Sequence, residues 1–204
     1  MPNYWKQAKQ ELATQDDVMH ELMQHEGEAT LSSRGDAFTT LARSIVGQQI
    51  SVKAAESVWQ KVIAKVPQIT AQGIYDSNID LLRSCGLSQR KVIYLQDLSR
   101  HFIEKTWDET TWHEMSDEAI ITQLIQVKGI GRWTAEMFLI FHMLRPNILP
   151  LDDIGLQRAV SLHYNANQPI DKDAIRKLAK QWQPWCTVAT WHLWRSLDPL
   201  PVAY

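Results

Sequence analysis

The chain has 204 residues, of which 45% are apolar and 22% are charged, values that exclude a disordered or collagen-like protein. Its formal net charge of −2, taken alone, argues against a nucleic-acid-binding protein. The charges are segregated, however, because residues 83–105 carry five basic and two acidic side chains while residues 106–127 carry five acidic and no basic ones, so one face can be positive.

Apolar residues recur at helical spacing along most of the chain, and alternating patterns typical of strands are very short. One periodic run begins near Phe38, and a second follows Ser51 and ends at Pro67. Two short helical turns over 70–84 and a helix over 91–103 come next. Four later helices are predicted: from an N-cap at Ser116 to Gly129, from Gly131 to Met143, from Asp171 or Asp173 to Trp182, and from Pro184 to about Leu197. The pattern predicts an all-α protein of about ten helices.

The segment Leu124–Phe138 reads LIQVKGIGRWTAEMF, in which a Gly-Ile-Gly turn separates two helical stretches. Such a turn requires glycine where φ is positive or where backbones approach closely, and we expect this of both Gly129 and Gly131. The pattern predicts a helix-hairpin-helix. The free N–H groups and the positive dipole end of its second helix would bind a DNA phosphate, helped by Arg132 and the hydroxyl of Thr134. A plain corner between two helices is the alternative.

Two adjacent carboxylates, Asp152 and Asp153, precede a periodic segment over 156–162. Aspartates at a helix start often serve only as caps. Here the apolar lead-in Leu149-Pro150-Leu151 indicates a buried, extended approach with neighbouring side chains on opposite sides, so one of the two aspartates would face a cleft. A carboxylate beside a phosphate-binding hairpin suits cleavage of an N-glycosidic bond, because its charge stabilises an oxocarbenium-like sugar and can orient water.

With these residues the sequence resembles the helix-hairpin-helix DNA glycosylases, and within them the DNA-3-methyladenine glycosylase II (AlkA-type) branch. The resemblance extends from about Phe38 to Leu197. Five motifs carry it in the same order: IVGQQISVKAA (45–55), GLSQRKVIYL (86–95), VKGIGRWTAEMF (127–138), LPLDDIGLQRAV (149–160) and WQPWCTVATWHLW (182–194). The resemblance implies that residues 1–204 form one glycosylase unit of two interleaved helical lobes, with the active-site cleft between them.

The resemblance also implies roles for single residues. The catalytic aspartate of this branch is the second of the pair, which is Asp153 here, with Asp152 as the fallback. Trp133, Met137 and Trp194 match positions that line the base pocket, where an electron-rich aromatic face attracts a cationic alkylated purine.

Two further sets of residues match positions with a role in the family. Gln48 and Gln49 match the wedge that fills the gap left by an extruded base, although relatives carry leucine there. The backbone carbonyls of Ile125, Val127 and Ile130 match positions that hold a monovalent cation, K⁺ or Na⁺, in a structural role. No other cofactor is expected.

Departures from the wider superfamily narrow the prediction. Members that also nick the strand carry a Schiff-base lysine at the position of Trp133, so lyase chemistry by amine attack is not expected. Cys85 and Cys186 are too few for the iron-sulfur cluster of the endonuclease III-like members. Some relatives have an N-terminal β-rich lobe, whereas a short helical, acidic segment precedes Phe38 here.

These observations predict a monofunctional DNA glycosylase that removes alkylated purines, such as 3-methyladenine and 7-methylguanine, from double-stranded DNA in base excision repair. Without a signal sequence or a long apolar run, we expect a cytoplasmic, nucleoid-associated monomer with no membrane contact. Two alternatives stay open. One is a glycosylase for deaminated or mismatched bases, and the other is a non-catalytic helix-hairpin-helix DNA-binding protein.

Overall fold

The computed structural model describes residues 1–24, 30–33, 35–106 and 108–197, and every regular element in these ranges is helical, which confirms the all-α prediction. The α-helices are α1 (Trp5–Gln15), α2 (Asp17–Gln24), α3 (Ala37–Gly47), α4 (Val52–Lys65), α5 (Ala71–Tyr75), α6 (Ile79–Ser84), α7 (Gln89–Ile103), α8 (Asp117–Leu124), α9 (Arg132–Phe141), α10 (Ile154–Tyr164), α11 (Lys172–Leu178) and α12 (Cys186–Leu197). Short 3-10 helices span Glu109–Glu114 and Ala179–Trp182. No helix within the described ranges is long and apolar enough to cross a lipid bilayer.

The described residues divide into two compact units. The first unit combines the residues up to Ser33 with those from Leu139 onward, so both ends of the chain contribute to it. In it, α12 packs against α1, α2 and α10. The second unit contains the residues between these two segments, up to Phe138, and α3 packs there against α4 and α7.

Side-chain caps set the starts of several helices, as the sequence predicts. Ser51 accepts a hydrogen bond from the backbone of the first turn of α4, and Ser116 does the same for α8. Asp171, rather than Asp173, caps α11. Each of these side chains satisfies an N–H group that the helix itself leaves unpaired.

Two helices end earlier than expected. Helix α8 ends at Leu124 rather than near Gly129, because the chain continues in tight turns, with Val127 N–H donating to the Leu124 carbonyl at 3.1 Å. Helix α9 ends at Phe141 rather than at Met143. Leu144 there adopts a left-handed φ of 55°, which closes a helix C-terminus before Pro146 is reached.

A buried carboxylate connects the N-terminal helices to the rest of the first unit. Oδ1 of Asp16 accepts hydrogen bonds from the backbone N–H groups of Val18 and Met19 at the start of α2. Oδ2 of Asp16 accepts hydrogen bonds from three side chains: the Tyr164 hydroxyl at 2.8 Å, the Gln181 amide at 2.8 Å and the Trp182 indole at 2.9 Å. Trp5 also meets the edge of Trp191, with ring centroids 5.2 Å apart.

Candidate active site and DNA interface

Asp153 is the N-cap of α10 and is almost enclosed, with 5% of its surface exposed. Its Oδ1 atom accepts two hydrogen bonds of 2.7 Å, one from the backbone N–H of Leu156 and one from the indole N–H of Trp194. The first is the cap that the sequence suggests. No local pattern signals the second, because 41 residues separate the two partners.

Asp152 has a different environment from its neighbour. It is exposed and forms an ion pair with the ammonium of Lys172. The segment before the pair is a tight turn rather than the expected extended approach, since Leu151 N–H donates to the Leu149 carbonyl and Asp153 N–H to the Pro150 carbonyl, both at 2.9 Å. Of the two aspartates, therefore, only Asp153 is enclosed by the protein.

The indole of Trp194 is packed on several sides, and 5% of the residue is exposed. Its ring stacks on Phe141 with centroids 5.8 Å apart and an interplanar angle of 12°. Gly155 provides space beside it, because a Cβ at Gly155 would lie 3.0 Å from Oδ1 of Asp153 and 3.1 Å from Cδ1 of Trp194. Trp194, Asp153 and Gly155 thus form a tightly packed cluster within the first unit.

The hairpin turn between α8 and α9 belongs to the second unit and is fixed by its neighbours. Gly129 has a φ of 84°, and a methyl group there would overlap the ring of Tyr94. The carboxylate of Asp97 accepts a hydrogen bond of 2.9 Å from the backbone N–H of Lys128. Gly129 therefore meets both conditions that the sequence pattern sets for a required glycine.

Gly131 meets neither condition, contrary to expectation. Its φ lies outside the left-handed region, and a Cβ there would find no atom within 4 Å. The chain itself therefore tolerates a side chain at Gly131, and the space in front of the first turn of α9 is open.

The two side chains at the start of α9 that are expected to help bind a phosphate, Arg132 and Thr134, already interact with or are enclosed by the protein. The guanidinium of Arg132 forms ion pairs with Glu118 on α8 and, at 3.0 Å, with the buried Glu136 one turn further along. These partners raise the pKa of Arg132, while its hydrogen bond lowers the pKa of Glu118. Thr134 is 6% exposed, so its hydroxyl is largely enclosed.

The two other expected pocket residues lie one turn apart on α9. Trp133 is partly exposed, whereas Met137 is 4% exposed. None of the described residues forms a cluster of three or more His, Cys, Asp or Glu side chains that could hold a metal ion.

The loop after α3 carries the residues expected to act as a wedge. Gln49 is exposed and adopts a left-handed φ of 59°, and Ile50 beside it is 41% exposed. Gln48 turns the other way, and its amide donates a hydrogen bond of 2.8 Å to the carbonyl of Gly129. Lys91 holds the end of α3 through a 2.7 Å bond to the Val46 carbonyl, and burial lowers the pKa of this lysine.

The turns between α8 and α9 also carry the three carbonyls expected at a cation site, those of Ile125, Val127 and Ile130. Neutral backbone carbonyl oxygens can replace the hydration shell of a monovalent cation such as K⁺. The Val127 carbonyl accepts one hydrogen bond, from Ile130 N–H at 3.1 Å, and a carbonyl has a second lone pair for a further partner. Backbone carbonyls are the kind of donor that such an ion takes, and the cation site stays a prediction.

Residues 42–184, which include the hairpin and Asp153, match the family model of the HhH-GPD superfamily of base excision DNA repair proteins. The chain belongs to this superfamily. The hairpin and the enclosed aspartate at the start of α10 lie within the matched region.

Several HhH-GPD relatives are named for one activity. DNA-3-methyladenine glycosylase 1 of Schizosaccharomyces pombe is 31% identical over 79% of this chain and 72% of its own length. DNA-3-methyladenine glycosylase of Saccharomyces cerevisiae is 34% identical over 70% of this chain and 51% of its own length. YfjP of Bacillus subtilis is 39% identical over 57% of this chain, and the match spans 41% of YfjP.

Solved structures of the same enzyme class share the fold. The crystal structure of DNA-3-methyladenine glycosidase from Bacillus halodurans has a TM-score of 0.86 at 30% identity, covering 94% of this chain and 89% of the other. S. pombe Mag1 in complex with abasic DNA has a TM-score of 0.83 at 26% identity, covering 97% and 99%.

Proposed function

We propose that this chain is a DNA glycosylase of base excision repair that releases alkylated purines, of the 3-methyladenine and 7-methylguanine type, from double-stranded DNA. The observation that carries the proposal is the enclosed carboxylate of Asp153, held at the start of α10 by hydrogen bonds from α10 and α12. The relatives named DNA-3-methyladenine glycosylase and the Mag1 complex with abasic DNA support it.

In the proposed reaction the C1′–N bond of the damaged nucleotide breaks and a water oxygen forms the new bond to C1′. The sugar becomes cationic as the base leaves, and the fixed negative charge of Asp153 stabilises that cation and orients the water. An alkylated purine is already positively charged, so its bond to the sugar is weak. The water loses one proton to solvent, and the purine leaves neutral.

The base must leave the duplex before it reaches the carboxylate. We assign the wedge to Gln49, which is exposed at the tip of its loop, with Gln48 beside it. Trp133, which is partly exposed, is the proposed contact to the extruded base, and the buried Met137 would support it from one turn further along α9. Because Asp153 is enclosed, it can act only on a nucleotide that has been turned out of the duplex.

The hairpin would bind the DNA backbone, and such phosphate contacts do not depend on the base sequence. The N–H groups at the start of α9, opened by Gly131, would bind a phosphate, with Gly129 shaping the turn. Arg132 and Thr134 would assist in binding this phosphate, although Arg132 already pairs with Glu118 and Thr134 is largely enclosed. A monovalent cation on the carbonyls of Ile125, Val127 and Ile130 would stabilise the turn.

We further propose that the enzyme is monofunctional, because Trp133 stands where strand-nicking relatives carry their lysine. Borohydride should then trap no covalent protein-DNA adduct during turnover, and strand breaks should appear only after alkali. An efficiently trapped adduct would show that another amine attacks the sugar.

The decisive experiment compares Asp153→Asn with Asp152→Asn on duplexes that contain 3-methyladenine, 7-methylguanine, hypoxanthine or uracil. Asp153→Asn should abolish base release and keep binding to abasic-site DNA, because only the charge is removed. Asp152→Asn is the matched control and should keep most of the activity. Loss of release in Asp152→Asn alone would move the assignment by one residue. No release from any duplex by the wild type would favour a non-catalytic DNA-binding protein.

A further inference from the structure

Trp194 contacts the proposed catalytic carboxylate directly. Its indole N–H lies 2.7 Å from Oδ1 of Asp153, and the same oxygen accepts the 2.7 Å bond from Leu156 N–H. We propose that Trp194 is a positioning residue that acts on the reaction through Asp153, instead of through its aromatic face on the damaged base. This inference rests on the proposed glycosylase function.

Two hydrogen bonds from two different helices fix the carboxylate more completely than a cap alone. The cap bond from Leu156 restrains Oδ1 near the axis of α10, but it leaves rotation about the last side-chain bond of Asp153. The bond from Trp194, on α12, adds a second direction. Preorganisation of this kind matters because a charge that is already aimed at the developing cation needs no rearrangement in the transition state.

The chemistry of the donor also suits the role. An indole N–H is a donor without a formal charge, so this bond orients the carboxylate without itself cancelling the negative charge that the sugar cation needs. Asp152 provides the contrast within the same turn, because its partner is the Lys172 ammonium. An ammonium neutralises the carboxylate that it holds.

The neighbours of Trp194 hold its indole in the orientation that forms this bond. Phe141 stacks on the indole and limits its rotation, and Gly155 leaves the space in which Trp194 reaches Asp153. With one face on Phe141 and 5% of the residue exposed, the indole has little free surface for a base. A pocket wall would need an open face.

The test measures single-turnover base release by Trp194→Phe, which keeps an aromatic ring on Phe141 and removes the N–H group. Two duplexes are used, one with cationic 7-methylguanine and one with neutral hypoxanthine. Trp112→Phe is the matched control, because Trp112 is also buried and donates its indole N–H at 2.8 Å to Gln123, which has no part in the site. Thermal unfolding and the Kd for abasic-site DNA are measured for each protein.

For Trp194→Phe, we expect the rate to fall by about tenfold to hundredfold on both duplexes alike, with the Kd for abasic-site DNA unchanged within about threefold. Trp112→Phe should release both bases at the wild-type rate. Gly155→Ala is a second variant that keeps the indole but crowds it against Asp153, and it should lower the rate in the same way.

Two results would overturn the inference. A rate loss confined to 7-methylguanine would show that the ring face binds the cationic base, and unchanged rates on both duplexes would show that the hydrogen bond is dispensable. Activity of the wild type, and its loss in Asp153→Asn, separately test the proposed function. An active wild type with an unaffected Trp194→Phe therefore rejects the positioning role and leaves the glycosylase in place.

Discussion

The two hairpin glycines differ in what their surroundings demand. Gly129→Ala should destabilise the protein, because a left-handed φ costs a residue with a Cβ about 1–2 kcal/mol and the methyl group would also displace Tyr94. Gly131→Ala should leave stability unchanged or raise it by up to about 1 kcal/mol, since its backbone suits any residue. Denaturant unfolding of the two variants measures the difference.

For DNA binding, unlike for stability, we expect the substitution at Gly131 to matter more than the one at Gly129. If a phosphate approaches the open space at Gly131, the methyl group of Gly131→Ala blocks it, and affinity should fall alike for every DNA sequence. Equal affinity of Gly131→Ala and the wild type, measured by fluorescence anisotropy at fixed salt, would place the phosphate elsewhere.

Gln49 combines backbone strain with an exposed side chain. Gln49→Gly should stabilise the fold by about 1 kcal/mol, because glycine adopts the φ of 59° at little cost, yet it should lower base release, because the wedge is gone. Ala166→Gly is the matched control, since Ala166 is also exposed and left-handed, with a φ of 47°. Unchanged base release by Gln49→Gly, measured in single turnover on a 7-methylguanine duplex, would contradict the wedge assignment.

At the scale of elements, the ion pairs of Arg132 connect the two helices of the hairpin. Glu118 on α8 competes with a DNA phosphate for this guanidinium. Arg132 lowers the pKa of Glu118, so the pair persists at neutral pH and is lost only in acid, as pH falls through that lowered pKa. The pair therefore stabilises the hairpin at the expense of its positive charge.

Removing that competitor should strengthen DNA binding. Glu118→Gln should lower the Kd for a DNA duplex at low salt by about twofold to fivefold, and the gain should shrink at high salt, because it is electrostatic. Glu114→Gln makes the same charge change on an exposed residue that pairs with His113, and it should alter the Kd less. Equal effects of the two variants would mean that only net charge matters.

The sequence predicts the helices better than it predicts the site. Caps such as Ser116 and Asp171 act within one turn, so a local pattern reveals them. The bond between Trp194 and Asp153 joins residues that are far apart in the chain, and the pairing of Arg132 with Glu118 depends on how two helices pack. Tertiary contacts of this kind leave no periodic trace in the sequence.

At the scale of the whole molecule, the first unit is assembled from both ends of the chain. Trp5, Leu12 and Met19 on α1 and α2 are buried, so the N-terminal helices are part of its core. Trp185 donates its indole N–H to Glu11 at 2.6 Å, and the Tyr4 hydroxyl donates to the Leu144 carbonyl at 2.7 Å. The N-terminal segment therefore stabilises the unit that carries Asp153.

Asp16 is the residue on which this assembly depends most. Asp16→Ala removes the acceptor for Tyr164, Gln181 and Trp182. Gln181 is exposed and can bond to water, but Tyr164 is partly buried and Trp182 fully buried, so the indole N–H of Trp182 loses its partner in the core. Unpaired buried donors are costly, so we expect a loss of about 2–4 kcal/mol and a fall in Tm on the order of 5–15 °C, measured by calorimetry. The neighbour Asp17 is exposed in the first turn of α2, and Asp17→Ala should cost less than about 1 kcal/mol.

Because the ends of the first unit fold together, Asp16→Ala should also lower base release as the Tm is approached, although Asp16 has no place in the reaction. Similar Tm values for Asp16→Ala and Asp17→Ala would show that apolar packing of α1 and α2 alone holds the N-terminal segment in place.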